Sequence, residues 1–142
     1  MSSASAAPPP GPPLSARQPA ALFDLLGGES TFHQLVANFY EGVRNDPVLR
    51  PLYPDEDLRA AEERLRMFLI QYWGGPHTYS QQRGHPRLRM RHVPFKIGTR
   101  ERDAWLARMR AALDQLALPA EADNALWTYF TGAAESLRNV PD

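Results

Sequence analysis

Chemistry in this chain gathers around one histidine. The stretch from Gln71 to Phe95, QYWGGPHTYSQQRGHPRLRMRHVPF, ends with His92 behind Arg87, Arg89 and Arg91 and just ahead of Pro94. The chain has no cysteine, and no second metal-ligand residue stands at ligand spacing from His92. A single histidine that binds a metal needs a metal already held by something else. Haem meets that need, because the porphyrin supplies the equatorial nitrogens and the protein adds an axial ligand. Spacing alone leaves a blander reading open, since a histidine at a helix end is more often structural or exposed. His33 and His77 lie among polar residues and read as surface. His85, beside Pro86, reads as a cap or loop residue.

The elements that must position His92 are helices. The chain has 142 residues, 43% of them hydrophobic, which suits one domain with a substantial core. A net charge of +0 argues against a nucleic-acid or anionic-membrane surface. The absence of cysteine excludes disulfides and thiolate-held zinc or iron–sulfur clusters. The cytoplasm is the expected compartment. No apolar run approaches the ~18 residues of a membrane span. Residues 1–20, with Pro8, Pro9, Pro10, Pro12, Pro13 and Pro19 among Ala, Ser and Gly, predict a flexible Pro-rich tail ahead of a domain at 21–142. The tail has no basic start and no apolar centre, so it does not read as a secretory signal.

From Leu22 onward apolar residues recur at helical spacing, and no alternating strand stands out. A short helix over Ala20–Leu26 stops at Gly27-Gly28. Ser30 is expected to cap the next helix, with Phe32, Leu35, Val36, Phe39, Tyr40 and Val43 on its buried face. Asn45-Asp46-Pro47 ends it, and Val48–Leu52 suits one short turn. Asp57 caps a third helix with Leu58, Ala61, Leu65, Phe68, Leu69 and Tyr72 inward, halted by Gly74-Gly75-Pro76. His77–Gly84 reads as a loop and Pro86–His92 as a short helix. Thr99 caps a helix burying Trp105, Leu106, Met109, Ala112, Leu113 and Leu116. Pro119 opens the last helix, with Ala122, Leu126, Tyr129, Phe130, Ala133 and Leu137 inward. Asn139–Asp142 reads as a fraying end. This pattern predicts a small all-α domain, in which His92 and the Ala61–Leu65–Phe68 face could flank a flat apolar ligand.

Gly27-Gly28, Phe39-Tyr40, Leu52-Tyr53-Pro54, the runs AEERLRMFLIQYWGGP and YSQQRGHPRLRMRHVPF, and Ala104-Trp105 together resemble group II truncated haemoglobins. The resemblance spans roughly residues 22 to 137 and leaves the tail outside. It implies a shortened globin, a two-over-two helical sandwich around haem b (iron protoporphyrin IX). It makes His92 the proximal ligand of the iron. Tyr40 and Tyr53 match distal tyrosines, and Trp105 matches a tryptophan closing the distal side. Ala61 stands where longer globins commonly carry a distal histidine. Leu65 and Phe68 match apolar wall positions. Tyr79, Arg64 and Arg91 are candidates for the haem carboxylates, with Arg91 first because it adjoins His92.

Aromatic residues at helical spacing are usually core, yet a buried Tyr O–H or Trp N–H needs a partner. Tyr40, Tyr53 and Trp105 are therefore expected to donate to a ligand on the iron and to slow its release. The leading expectation is a haem protein that reversibly binds dioxygen, and other diatomic gases such as NO and CO. A haem redox enzyme is the alternative, performing nitric oxide dioxygenation or peroxide reduction with a separate reductase. A cofactor-free helical interaction module is the third, and it predicts a colourless protein. Monomer and homodimer both stay open.

Overall fold

The computed structural model describes residues 23–53, 57–84, 92 and 96–140, and regular structure within them is helical throughout. The expected tail, the start of the first short helix and most of the Pro86–His92 segment lie outside the described residues.

Phe23 to Leu25 are helical, and the chain turns at Leu26 and Gly27. Gly27 has φ 106°, a left-handed conformation that costs glycine little. A Cβ there would lie 1.9 Å from Thr31 Oγ1, so the turn admits no side chain. Helix α1 (Gly28–Arg44) starts at once. The expected Ser30 cap does not form, because the glycine turn opens the helix upstream of Ser30. The serine hydroxyl instead donates back to the Gly27 carbonyl at 3.5 Å. The buried face of α1 is the expected one: Phe32, Leu35, Val36, Phe39, Tyr40 and Val43.

A short turn of 3-10 helix, Arg50–Leu52, leads to Tyr53. Helix α2 (Arg59–Tyr72) follows; its cap position is Leu58 and not the expected Asp57, which from one residue upstream accepts the Arg59 N–H on Oδ1 at 2.9 Å. Leu58, Ala61, Phe68 and Leu69 are buried as expected, but Tyr72 is 54% exposed, and Met67 and Ile70 are buried as well. The reason is that α2 is covered on more than one side. Ile70 and Phe23 both crowd the Gly75 backbone, and Phe23 in turn stacks on Phe32 at 5.8 Å.

The expected loop at His77–Gly84 is instead helix α3 (Thr78–Arg83). Its six residues are too few to stand alone or to print a periodicity. Tertiary contacts hold it. The Gln71 amide donates to Ser80 Oγ at 2.7 Å and accepts the Ser80 N–H at 2.9 Å. The buried Tyr79 ring meets Phe68 edge-on at 5.7 Å.

Helix α4 (Thr99–Leu116) starts one residue earlier than a Thr99 cap allows. The cap position is Gly98, whose N–H donates to Glu101 Oε1 at 2.9 Å. Helix α5 (Ala120–Ser136) follows Pro119. Arg110 of α4 ties the two together, pairing with Asp123 at 2.5 Å while lying 4.9 Å above the Trp127 ring. Helix α1 packs on α2 and on α4, α4 packs on α5, and α2 packs on α3. The result is the two-over-two sandwich: α1 with α2, α4 with α5, joined through α1 and α4. Phe32, Phe39, Met109, Leu113, Leu126 and Phe130 fill its centre. Each contributes about 1.5–3 kcal/mol by leaving water.

The expected fraying at Asn139 is also corrected. Its side-chain oxygen accepts the Ile97 N–H at 2.8 Å, and its own N–H donates to the Ile97 carbonyl at 2.9 Å. Its amide nitrogen donates to the His92 carbonyl at 3.2 Å. The residues after α5 therefore clamp the segment that carries His92. Among the described residues, no helix is long and apolar enough to cross a membrane.

Candidate functional site

A cavity of about 500 Å³ opens where α2, α4, α5, the Arg50–Leu52 turn and the His92 segment converge. Cofactor sites commonly measure ~300–1,000 Å³. Tyr40, Tyr53, Ala61, Arg64, Leu65, Phe68, Tyr79, His92 and Trp105 all line it. Arg91 lies outside the described residues. His33 and His77 are exposed and away from the cavity, as expected.

One wall is a packed aromatic set. Tyr40 comes from α1, Tyr53 from the end of the short turn and Trp105 from α4. Phe39 lies beneath, its ring 5.0 Å from Tyr40 and 5.2 Å from Trp105. The Tyr40 and Tyr53 rings meet edge-on at 5.5 Å. Tyr40 and Trp105 both come close to the Tyr53 hydroxyl. Burial pushes the Tyr40 phenol well above its ordinary value, and the neighbouring Tyr53 pushes it further. Burial also raises Tyr53, while the neighbouring Tyr40 and Trp105 pull the other way.

This wall is fastened by an ion pair whose carboxylate is buried and whose guanidinium side chain is half-exposed. Asp46 is 5% exposed. One of its oxygens accepts the Val48 and Leu49 N–H groups at 2.8 and 3.1 Å. The other accepts from Arg108 Nε at 2.8 Å. Arg108 lies one helical turn beyond Trp105, so the pair locks the Tyr53 turn to the Trp105 helix. Gly42 leaves room for the crossing, since a Cβ there would come within 2.9 Å of Arg108 Cδ. The Arg108 guanidinium and then the two backbone donors hold the Asp46 carboxyl below its ordinary range, against the cost of burial.

His92 is half-buried beside the cavity, held through its carbonyl by Asn139. Ala61, Leu65 and Phe68 of α2 form an apolar side. Arg64 is half-buried at the edge, and the Arg83 guanidinium lies 5.9 Å from the centre of the Tyr79 ring. Among the described residues, no group of three or more His, Cys, Asp or Glu gathers to hold a bare metal ion.

Sequence reasoning missed part of the lining: Leu49, Leu52 and Ile97, the charged pair Glu101 and Arg102, and the α5 face of Tyr129, Phe130, Ala133, Ala134 and Leu137. Arg102 is already committed to Glu135 and Asp103. The α5 residues carried a signal, but it read as helix–helix packing. Tyr129, Ala133 and Leu137 are only half-buried because they face a cavity, not a neighbouring helix. A largely apolar hollow lined by one imidazole, by phenol and indole donors and by guanidiniums fits a flat apolar group with anionic substituents, as haem is.

The family model for bacterial-like globins matches residues 21–139. The group 2 truncated hemoglobin YjbI of Bacillus subtilis (strain 168) is 45% identical over 94 residues, covering 66% of this chain and 70% of that protein. The crystal structure of a thermostable hemoglobin from the actinobacterium Thermobifida fusca is 62% identical, with a TM-score of 0.83, covering 84% of this chain and 98% of that one. A truncated oxygen-avid haemoglobin from Bacillus subtilis is 37% identical, with a TM-score of 0.79 over 87% of this chain and 100% of that one. The chain belongs to the bacterial-like globins, with group 2 truncated haemoglobins among its close homologues, and that membership implies haem-based binding of diatomic gases.

Proposed function

We propose that this globin holds haem b through His92 and binds dioxygen, as well as NO and CO, beneath Tyr53, Tyr40 and Trp105, releasing the ligand slowly. Haem, when bound, supplies an iron that takes a diatomic ligand and shares electron density with it. The protein's part is to orient the group, to keep water out and to set donors where negative charge gathers. The observation that carries this reading is the meeting, around one apolar cavity, of His92 with the linked Tyr40–Tyr53–Trp105 set. The Tyr40 and Tyr53 O–H groups and the Trp105 N–H are the donors available to a ligand. A hydrogen bond to a charged acceptor contributes about 1.5–3 kcal/mol, or roughly 10- to 100-fold in affinity. The oxygen avidity of the Bacillus subtilis relative agrees with such a pocket. Leu65 and Phe68 form the apolar wall in this reading, Ala61 leaves room for the ligand, and Arg64, Tyr79 and Arg91 meet the carboxylates.

Redox turnover at the same iron, as nitric oxide dioxygenation or peroxide reduction with an external reductase, is the second reading. It is supported by aromatic rings that run from the cavity wall to solvent at Tyr72. We place the protein in the cytoplasm, where small reductants and reductases are at hand. The purified protein tests the first reading directly. A Soret band and slow oxygen dissociation in stopped flow are expected. A colourless protein, or release unchanged in both Tyr53→Phe and Trp105→Phe, would reject it.

A further inference from the structure

The chain has five tyrosines, and four of them have their rings turned inward. Tyr40 is 3% exposed and Tyr79 4%, while Tyr53 and Tyr129 are half-buried on the cavity. Tyr72 is the exception at 54% exposed. Core packing does not account for it, and it was expected inside. Yet Tyr72 is not isolated. Its ring centre lies 4.4 Å from that of Tyr129, tilted by 35°. Tyr129 is 5.3 Å from Phe130, and Phe130 is 5.7 Å from Trp105. Tyr129, Phe130 and Trp105 all line the cavity. Trp73 closes the cluster at 5.5 Å from both Tyr72 and Tyr129, and its buried Nε1 has no hydrogen-bond partner. One line of touching rings thus joins the cavity to bulk water.

Electron transfer weakens steeply with distance, so rings in contact make the short steps that connect a buried centre to the surface. A phenol that gives up an electron also gives up its proton. Tyr129 is poorly placed to end such a path, because burial pushes its pKa up and the nearby Tyr72 hydroxyl adds to the shift. Tyr72 faces water, which takes the proton.

Resting on the haem reading above, we propose that Tyr72 is the surface terminus of an electron path through Tyr129, and the residue oxidised when hydrogen peroxide is reduced at the haem without an external reductant. The balance is complete. The peroxide O–O bond breaks, and its two oxygens leave as water, taking two electrons and two protons from the phenols of two Tyr72 residues. The resulting phenoxyl radicals, on two copies of the protein, join ring carbon to ring carbon, and the ring hydrogens shift back to oxygen. The product is a covalent Tyr72–Tyr72 dimer. When a small phenol or another one-electron reductant is supplied, it gives its electron to Tyr72 and the dimer does not form.

The test uses haem-loaded full-length protein whose Soret band is recorded first. Dilute peroxide is then added, and dityrosine fluorescence, detergent-resistant dimer and the cross-linked peptide are read. The expected result is a Tyr72–Tyr72 peptide in wild type, none in Tyr72→Phe and less in Tyr129→Phe, with yields taken per haem from each protein's Soret band and equal helical circular dichroism in all three. A cross-link that persists in Tyr72→Phe, or an undiminished yield in Tyr129→Phe, overturns the path. Wild type that takes up no haem fails the haem reading. Wild type with a full Soret band and an unmodified Tyr72 after peroxide fails the present inference alone.

Discussion

The Tyr40–Tyr53–Trp105 set and His92 line one cavity, and the chain positions them by different means. The first is assembled from two long helices and a turn, backed by the fully buried Phe39 and bolted by Asp46 and Arg108. The second sits on a short segment between α3 and α4, tied through backbone groups to Asn139 near the end of the chain. Donors that must point at a small ligand need rigid aim, because the strength of a hydrogen bond falls quickly with angle. A ligand atom for a metal needs less, since the bond to the metal itself completes the positioning. The aromatic set is thus positioned by side-chain packing and an ion pair, and His92 by a backbone bond to a residue distant in sequence.

Substitutions on each wall can break that contrast. The largest effect is expected at His92. Replacement by Ala should raise the rate of haem loss to a haem-scavenging protein by at least about 100-fold, beyond the 10–100-fold typical of outer-shell partners. Next come the donors. Tyr53→Phe should speed oxygen dissociation about 10- to 100-fold in stopped flow. Trp105→Phe and Tyr40→Phe should also speed it, and rates unchanged in all three variants would contradict the donor role. Asp46→Ala removes the bolt. It should cost about 1–3 kcal/mol in denaturant unfolding, and it should speed oxygen release while leaving haem retention nearly unchanged. Asn139→Ala should do the opposite, costing about 1 kcal/mol and loosening haem more than oxygen.

The smallest effect concerns pH, and its sign follows from the shifts. Tyr40 and Tyr53 are raised above the ordinary tyrosine value, about 10. Their O–H groups therefore stay protonated through neutrality, and oxygen dissociation should be flat from about pH 6 to 9. The stability these phenols contribute is fully present below about pH 10 and is lost as pH rises further through their folded values. Asp46 behaves in the reverse sense, because its folded value is lowered. Its contribution is present above about pH 4 and is lost as pH falls through the folded value. Thermal melts of wild type and Asp46→Asn should converge in acid. Curves that stay parallel below pH 4 would show that the pair adds nothing.

The sequence made the buried face of α1 legible, because its six buried side chains repeat over seventeen positions. The named residues that line the cavity, all but Arg91, stood out through the runs AEERLRMFLIQYWGGP and YSQQRGHPRLRMRHVPF and through the aromatic pairs, and their roles belong to the proposed function. What escaped has a common physical cause: it depends on contacts distant in sequence. Helix α3 is too short to print a period and is held by Gln71. The starts of α1 and α4 are set by Gly27 and by the Gly98–Glu101 bond, and each opens before the expected cap. Asn139 looks like a chain end until Ile97 is brought beside it. Tyr72 fits the apolar period of α2 but falls where Tyr129 is its cover and solvent its other neighbour. The α5 lining read as core because a cavity wall and a helix interface ask for the same residue types.

Chemical rescue at position 92 tests the central claim most directly. Wild type and His92→Gly are loaded with haem, and their absorption spectra are compared before and after free imidazole is added. The account predicts a histidine-ligated spectrum in wild type, its loss in His92→Gly and its return with imidazole. A His92→Gly protein that binds haem with the wild-type spectrum, and does not respond to imidazole, would contradict it.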